Sequence, residues 1–184
     1  RENFTKAASF RSRYRLKGML DEQGRAAMGL DMPPFTSDWL EGPVGVDAVA
    51  TLQPSGRGEA SLKLDLTPAK LKLSPVNFTK ETGEKGSGDV LLTFSRKGLA
   101  AVPRIQLSAE GLNLAGGVQF AGEGGALRRV DITKLRAGRS DATGSLNLDP
   151  SGRIHVDVRG DALDASALLE DDGAPPDHKA PPMT

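Results

Sequence analysis

A chain of 184 residues is long enough for one domain with a sizeable core, or for one domain and a tail. Its 24 basic and 24 acidic side chains cancel, which removes the basic excess that phosphate neutralisation requires and argues against a nucleic-acid partner. The absence of cysteine excludes a disulfide framework, a thiolate metal site and a cysteine nucleophile.

Glycine, at 22 residues, and proline, at 12, punctuate the chain often enough for many short strands. Aromatics make up only 4%, which is sparse for a packed sandwich. The longest apolar stretches, around Leu91–Leu92 and Leu99–Val102, fall far short of the roughly 18 residues of a membrane span. No signal-peptide pattern is visible. The chain opens on Arg1 and reads as a section of a longer protein, with targeting information expected outside it.

In chain order, the basic residues Arg11, Arg13, Arg15 and Lys17 come first and share one strand parity around Ser12, Tyr14 and Leu16. One reading is an anionic contact, such as lipid headgroups at a groove rim. The plainer reading is a solvated strand face that discourages edge pairing. Asp21 to Gly29 predicts a short helix, capped by Asp21 and stopped by Gly29.

Strict apolar/polar alternation then dominates. The rows are Val44, Val46, Ala48, Ala50 and Leu52; Leu62, Leu64 and Leu66; and, after Pro68, Leu71 and Leu73. Next come Val90, Leu92 and Phe94; Ile105, Leu107 and Ala109; Leu112 and Leu114; Val118 and Phe120. Val130 with Ile132, Leu146 with Leu148, and Ile154 with Val156 and Val158 complete the series. The intervening residues are mostly polar, so each strand presents one aliphatic and one wet row.

Reversals are expected at Pro54-Ser55-Gly56, Arg96-Lys97-Gly98, Gly116-Gly117, Gly122-Glu123-Gly124-Gly125 and Asp149-Pro150-Ser151-Gly152. About nine or ten strands joined so closely describe an antiparallel meander. A second short helix is expected at Asp164–Leu169. The domain spans residues 1–170, and the acidic, then proline-rich stretch 171–184 is a linker or disordered tail.

An aliphatic sheet face must be covered. On alternation alone, a closed sandwich burying about 25 aliphatic side chains at roughly 1.5–3 kcal/mol each is the plainer solution. Yet the rows contain few rings to plug a centre and no inward polar anchors to shape a small-molecule pocket. Such a surface suits an acyl chain.

Chemistry-bearing constellations are absent. His155 alternates with Ile154 and Val156 onto the wet face, and His178 lies in the tail near Glu170, Asp171 and Asp172, with no rigid ligand set. Asp47, Asp65, Asp89, Asp131 and Asp157 fall on polar strand faces, mostly opposite basic neighbours, with no acid–base spacing. The glycine clusters at 83–88 and 116–125 lack the Lys-Ser/Thr and helix of a phosphate loop. No catalytic residue, metal or cofactor is expected.

The ordered blocks carry a resemblance. Tyr14-Arg15-Leu16-Lys17-Gly18, Asp21, Arg25, Ala26-Ala27-Met28-Gly29-Leu30, Gly42-Pro43-Val44, Leu62-Lys63-Leu64-Asp65-Leu66-Thr67-Pro68-Ala69 and Phe78-Thr79-Lys80-Glu81-Thr82-Gly83 follow one another. Leu135 to Asp141, Gly144-Ser145-Leu146 and Gly160 to Ser166 continue the series. Over about residues 10–170 these resemble the AsmA-like proteins of Gram-negative bacteria, in particular the YhdP type. The resemblance implies a long, non-enzymatic periplasmic protein anchored in the inner membrane. Its U-section β-groove would bridge to the outer membrane and move phospholipid along an apolar floor.

The expected fold is all-β: an antiparallel meander curled into a taco-shaped half-barrel with an apolar concave face. The rows named above, apart from Val44, Ala48, Ala50, Leu52, Ala109 and Leu112, are expected to line the groove. Its partners would be phospholipid acyl chains and neighbouring repeats of the same full-length chain, with membrane contact through parts outside this section. The alternative is a structural or chaperone-like module in outer-membrane protein assembly, pairing through exposed strand edges. An adhesive or carbohydrate-binding sandwich ranks last, because Trp39 and Tyr14 are the only Trp and Tyr.

Overall fold

The alternating runs fold as strands paired mainly with their sequence neighbours. The computed structural model describes residues 12–27, 36–121, 125–149 and 151–162, and strands take up 68% of the described residues. In order they are β1 (Ser12–Leu20), a short helix α1 (Glu22–Ala27), β2 (Leu40–Glu41), β3 (Val44–Leu52), β4 (Gly58–Asp65), β5 (Lys70–Leu73) and β6 (Phe78–Lys80). Then follow β7 (Gly86–Ser95), β8 (Gly98–Ala109), β9 (Leu112–Phe120), β10 (Leu127–Ala137), β11 (Ser140–Leu148) and β12 (Ile154–Ala162).

Nine strands build one curved antiparallel sheet in the order β1-β3-β4-β7-β8-β9-β10-β11-β12. It is a meander with two excursions and does not close into a barrel. The excursions supply β2, β5 and β6, which pair into a second, three-stranded sheet in the order β2-β5-β6.

That second sheet changes the expected architecture in one respect. Leu71 and Leu73 do not continue the main sheet's floor; they belong to β5 and pair in register with Lys80 and Phe78 of β6. Local chemistry explains the departure. Asp65 accepts a hydrogen bond from the Thr67 backbone N–H at 2.9 Å, Pro68 follows, and the Ala69 N–H bonds back to the Leu66 carbonyl at 3.1 Å. This turn ends β4 and sends the chain over the sheet. A single 3-10 turn at Ser74–Val76, opened by Pro75 and closed by Asn77 at φ 48°, returns it as β6.

The second sheet packs on the apolar face near one end of the strands. Leu71 and Phe78 bury against Leu112, Leu135 and Ala137, with Leu40, Leu73, Leu107, Leu114 and Ile132 around them. Val44, Leu66 and Ala69 form a smaller adjoining cluster, flanked by Leu40, Val46, Leu64 and Leu107. Each fully buried aliphatic side chain here contributes about 1.5–3 kcal/mol.

A further difference concerns Gly116-Gly117, expected as a reversal. β9 runs straight through them, and Gly116 stands in register between Ile105 and Ile132. Strand registers slip nearby, between Val102 and Ile105 in β8 and between Ile132 and Leu135 in β10. The two glycines therefore serve close backbone approach at a bulged stretch of sheet. The reversals at Pro54-Ser55-Gly56 and Arg96-Lys97-Gly98 join consecutive strands, and Gly56, Gly98 and Gly152 have positive φ. Gly122, Glu123, Gly124 and Pro150 of the other two expected reversals lie outside the described residues. Of the two expected helices, α1 falls within Asp21–Gly29, and Asp164–Leu169 lies outside the described residues, as do Arg11 and His178.

Candidate functional site

Register turns the aliphatic rows into rungs that cross the sheet at right angles to the strands. One rung runs from Leu16 through Ala48, Leu62 and Val90 to Ile105. It continues through Gly116, Ile132 and Gly144 to Val158. A second joins Val102, Val118, Val130, Leu146 and Val156. Toward the far strand ends, Phe94 faces Leu99, Phe120 faces Leu127, and Leu148 faces Ile154. Nine strands at about 4.8 Å spacing carry this apolar surface over roughly 38 Å.

The rungs divide by cover. Near the second sheet, Leu66 and Leu71 are buried and Leu64, Leu73, Leu107, Leu114 and Ile132 pack against the two clusters. Those expected lining residues are core. Leu62, Val90, Leu92, Phe94, Ile105, Val118, Phe120, Val130, Leu146 and Leu148 stay half-buried outside both clusters. At the β12 edge, Ile154, Val156 and Val158 are 61%, 64% and 51% exposed, and Leu16 on the opposite edge is 54% exposed. Among the described residues the apolar face is thus roofed along one flank and open along the other.

The opposite face is wet. Lys17, Asp47, Lys63 and Asp89 stand in mutual register across four strands, an alternating charge ladder that favours this pairing over slipped ones. Arg15 and Lys17 share this face of β1, pairing with Val49 and Asp47. Arg13, which pairs with Thr51, shares this parity, so the described part of the early basic string points away from the apolar floor. On β10, Arg129 holds Asp131 through Nε contacts of 2.7 Å to both carboxylate oxygens. That bond keeps the Asp131 carboxyl below its ordinary pKa. Arg136 meets Asp141 at 2.6 Å. His155 lies opposite Asn147, 3.7 Å from Asp149.

Two shallow hollows line the wet side and the strand ends. One, of about 520 Å³, is bounded by Thr67, Lys85, Gly86, Ser87, Ser108, Ala109 and Glu110. The other, of about 360 Å³, lies among Asp89, Gln106, Asn113 and Lys134. The apolar floor itself is a broad open surface. Among the described residues no group of three His, Asp or Glu side chains could hold a metal ion, and no helix is long and apolar enough to cross a membrane.

Two buried cations fasten the roof. Lys80 is 1% exposed; its ammonium donates to the carbonyl oxygens of Ala69 at 2.8 Å and Glu81 at 3.0 Å. Burial pushes its pKa below the ordinary lysine value. Arg25 of α1 is 2% exposed and donates to the carbonyls of Gly42 at 2.8 Å and Leu40 at 2.7 Å. Neither follows from composition, but parity held a signal for Lys80: it shares a strand face with Phe78, whose ring is buried. Compared with protein-family models, curated proteins and solved structures, the chain matches none.

Proposed function

We propose that this chain is a section of a hydrophobic trough that carries phospholipid acyl chains between the inner and outer membranes of a Gram-negative cell envelope. The observation that carries the reading is the unroofed flank of the apolar face, where Leu62, Leu92, Val118, Val130 and Leu146 remain half-exposed on strands of one continuous sheet. Contiguous apolar surface of this extent marks a site of apolar contact in a folded protein. It offers fatty tails cover without polar anchors, so cargo can slide from rung to rung. The ordered resemblance to AsmA-like proteins supports the same reading, and with it a periplasmic setting and a non-enzymatic role.

The decisive experiment is native mass spectrometry of the chain after exposure to phospholipid vesicles, beside Leu62→Asp and Leu92→Asp. The wild type should retain phospholipid, and both variants should lose it while keeping a β-type circular dichroism spectrum. Unaltered lipid retention by folded variants rejects the trough.

A second reading rests on the sheet's edges. β1 and β12 are nine residues each and form the two borders of the main sheet, each with no strand on its outer side among the described residues. Long open edges accept strands of other chains, as a module in outer-membrane protein assembly would require. Photocrosslinkers on the apolar rungs capture lipid under the first reading; crosslinkers on β1 or β12 capture protein under the second.

A further inference from the structure

The two ends of the strands differ in chemistry. At the end where the second sheet lies, the connections from β1 to β3 and from β4 to β7 are long and supply the strands that cover the apolar face, while 110–111 and 138–139 are two-residue turns. At the other end they are the short turns 53–57, 96–97, 121–126 and 149–153. In the described part of those turns and the two strand positions on either side, Arg57, Arg96, Lys97, Arg128 and Arg153 outnumber the carboxylates Glu59 and Asp149. The whole chain is electrically neutral, so this local excess is a feature of the lip.

All five cations are exposed, and they border the apolar pairs Phe94–Leu99, Phe120–Leu127 and Leu148–Ile154. Asp149 is already engaged, accepting the backbone N–H groups of Ser151 at 2.8 Å and Arg153 at 2.9 Å and the Ser151 hydroxyl at 2.6 Å. Arg96 is pinned across the neighbouring turn, its Nε donating to the Ser55 carbonyl at 2.7 Å. Among the described residues, no carboxylate pairs with Arg57, Lys97 or Arg128. Successive turns on this lip follow every second strand, about 10 Å apart.

We infer that this lip selects anionic amphiphiles: phospholipids with a net negative headgroup, tails on the open rungs and headgroups stepping along the basic turns. The inference rests on the trough reading and adds a substrate class to it. The roofed flank leaves one side of the floor accessible, so headgroups of bound lipid line up at the turn edge, where cations await them. The occupant is a lipid headgroup and not free phosphate, because the cations sit beside apolar floor and form no enclosed anion pocket. Each basic residue near an anionic lipid surface contributes enough for roughly a fivefold preference.

The test compares uptake from vesicles of phosphatidylglycerol and of phosphatidylcholine with identical acyl chains. The wild type should favour phosphatidylglycerol by about tenfold or more, as two or more engaged cations imply. The preference should shrink as ionic strength rises from about 0.1 M to about 1 M and the screening length falls from about 10 Å to about 3 Å. The triple change Arg57→Gln, Lys97→Gln, Arg128→Gln should abolish the preference and leave phosphatidylcholine uptake intact. Removing equal charge from the wet face, with Arg15→Gln, Lys17→Gln and Lys63→Gln, should preserve it.

Equal uptake of both lipids by the wild type overturns the selection and spares the trough. So does equal loss of preference in the two triple variants, or tight binding of glycerol phosphate without lipid. Uptake of neither lipid overturns both. Should the lip variant fold poorly, the salt series on the wild type decides alone.

Discussion

The ammonium of Lys80 donates to the carbonyl oxygen of Ala69 across 2.8 Å, and through it β6 is fastened to the loop that leaves β4. The same group reaches the Glu81 carbonyl, so one buried charge closes both ends of the excursion that roofs the floor. Lys80→Met keeps most of the apolar stem and strips the buried Ala69 carbonyl and the part-buried Glu81 carbonyl of their donor. Relief of the ammonium's burial offsets part of the loss. Urea unfolding should show a stability lower by about 1–3 kcal/mol, and Lys80→Ala should fall further by opening a cavity. A Lys80→Met variant as stable as wild type would mean that the roof is held by apolar packing alone.

Leu107 and Leu92 look alike in sequence, each an inward leucine in an alternating run. Leu107 packs against both apolar clusters, whereas Leu92 stands on the open flank, opposite Ala60. A carboxylate at 107 must be desolvated beneath the second sheet. Leu107→Asp should therefore cost about 3–5 kcal/mol and unfold a marginal domain. Leu92→Asp can reach water and should leave the stability within about 1 kcal/mol of wild type. Thermal denaturation of the pair, before any lipid assay, separates roofed floor from open floor; equal midpoints would contradict that division.

Much of this was legible because parity is a local property. The rows from Val44 to Val158 set which side chains share a face, and the short turns at Pro54-Ser55-Gly56 and Arg96-Lys97-Gly98 set consecutive antiparallel pairing. What covers a face is not local. Leu71 and Leu73 obey the same period as Leu62 and Leu64, and only the length of chain between Asp65 and Gly86 hinted that they leave the sheet. The Gly116-Gly117 pair read as a turn because two adjacent glycines permit one; in the fold they permit close strand approach. Arg25 gave no sign of its role as a structural cation and Lys80 gave only its shared parity with Phe78, since burial of a charge depends on carbonyls that arrive from other segments.

Three carboxylates tie stability to pH. Hydrogen bonds hold each below its ordinary pKa: from Thr67 to Asp65, from Arg129 to Asp131, and from Ser151 and Arg153 to Asp149. In the unfolded chain these groups titrate near about 3.9, so on acidification the unfolded state binds protons first. Their contribution is full above that value and is lost as pH falls through the depressed folded values. Urea midpoints should be flat from about pH 7 to pH 5 and drop below about pH 4. Asp131→Asn should start from a lower midpoint and show a shallower acid drop; an identical slope would remove the Arg129 bond from the account.

Gly116 and Gly18 provide the sharpest contrast on the floor itself. Both stand on the apolar face, in register with Ile132 and Val46 respectively. A Cβ at Gly116 would overlap the backbone carbonyl oxygen of Asp131, while one at Gly18 would meet nothing within 4 Å. Backbone cannot yield as a flexible side chain does, so Gly116→Ala must push β9 from β10 where the ladder already slips. Its expected cost is about 2–3 kcal/mol, with faster hydrogen exchange at Asp131 and Ile132. Gly18→Ala, on the edge strand, should lie within about 0.5 kcal/mol of wild type. If both alanines prove equally harmless, the glycines in the rungs are there to keep the floor low for a sliding cargo and not to let the strands approach.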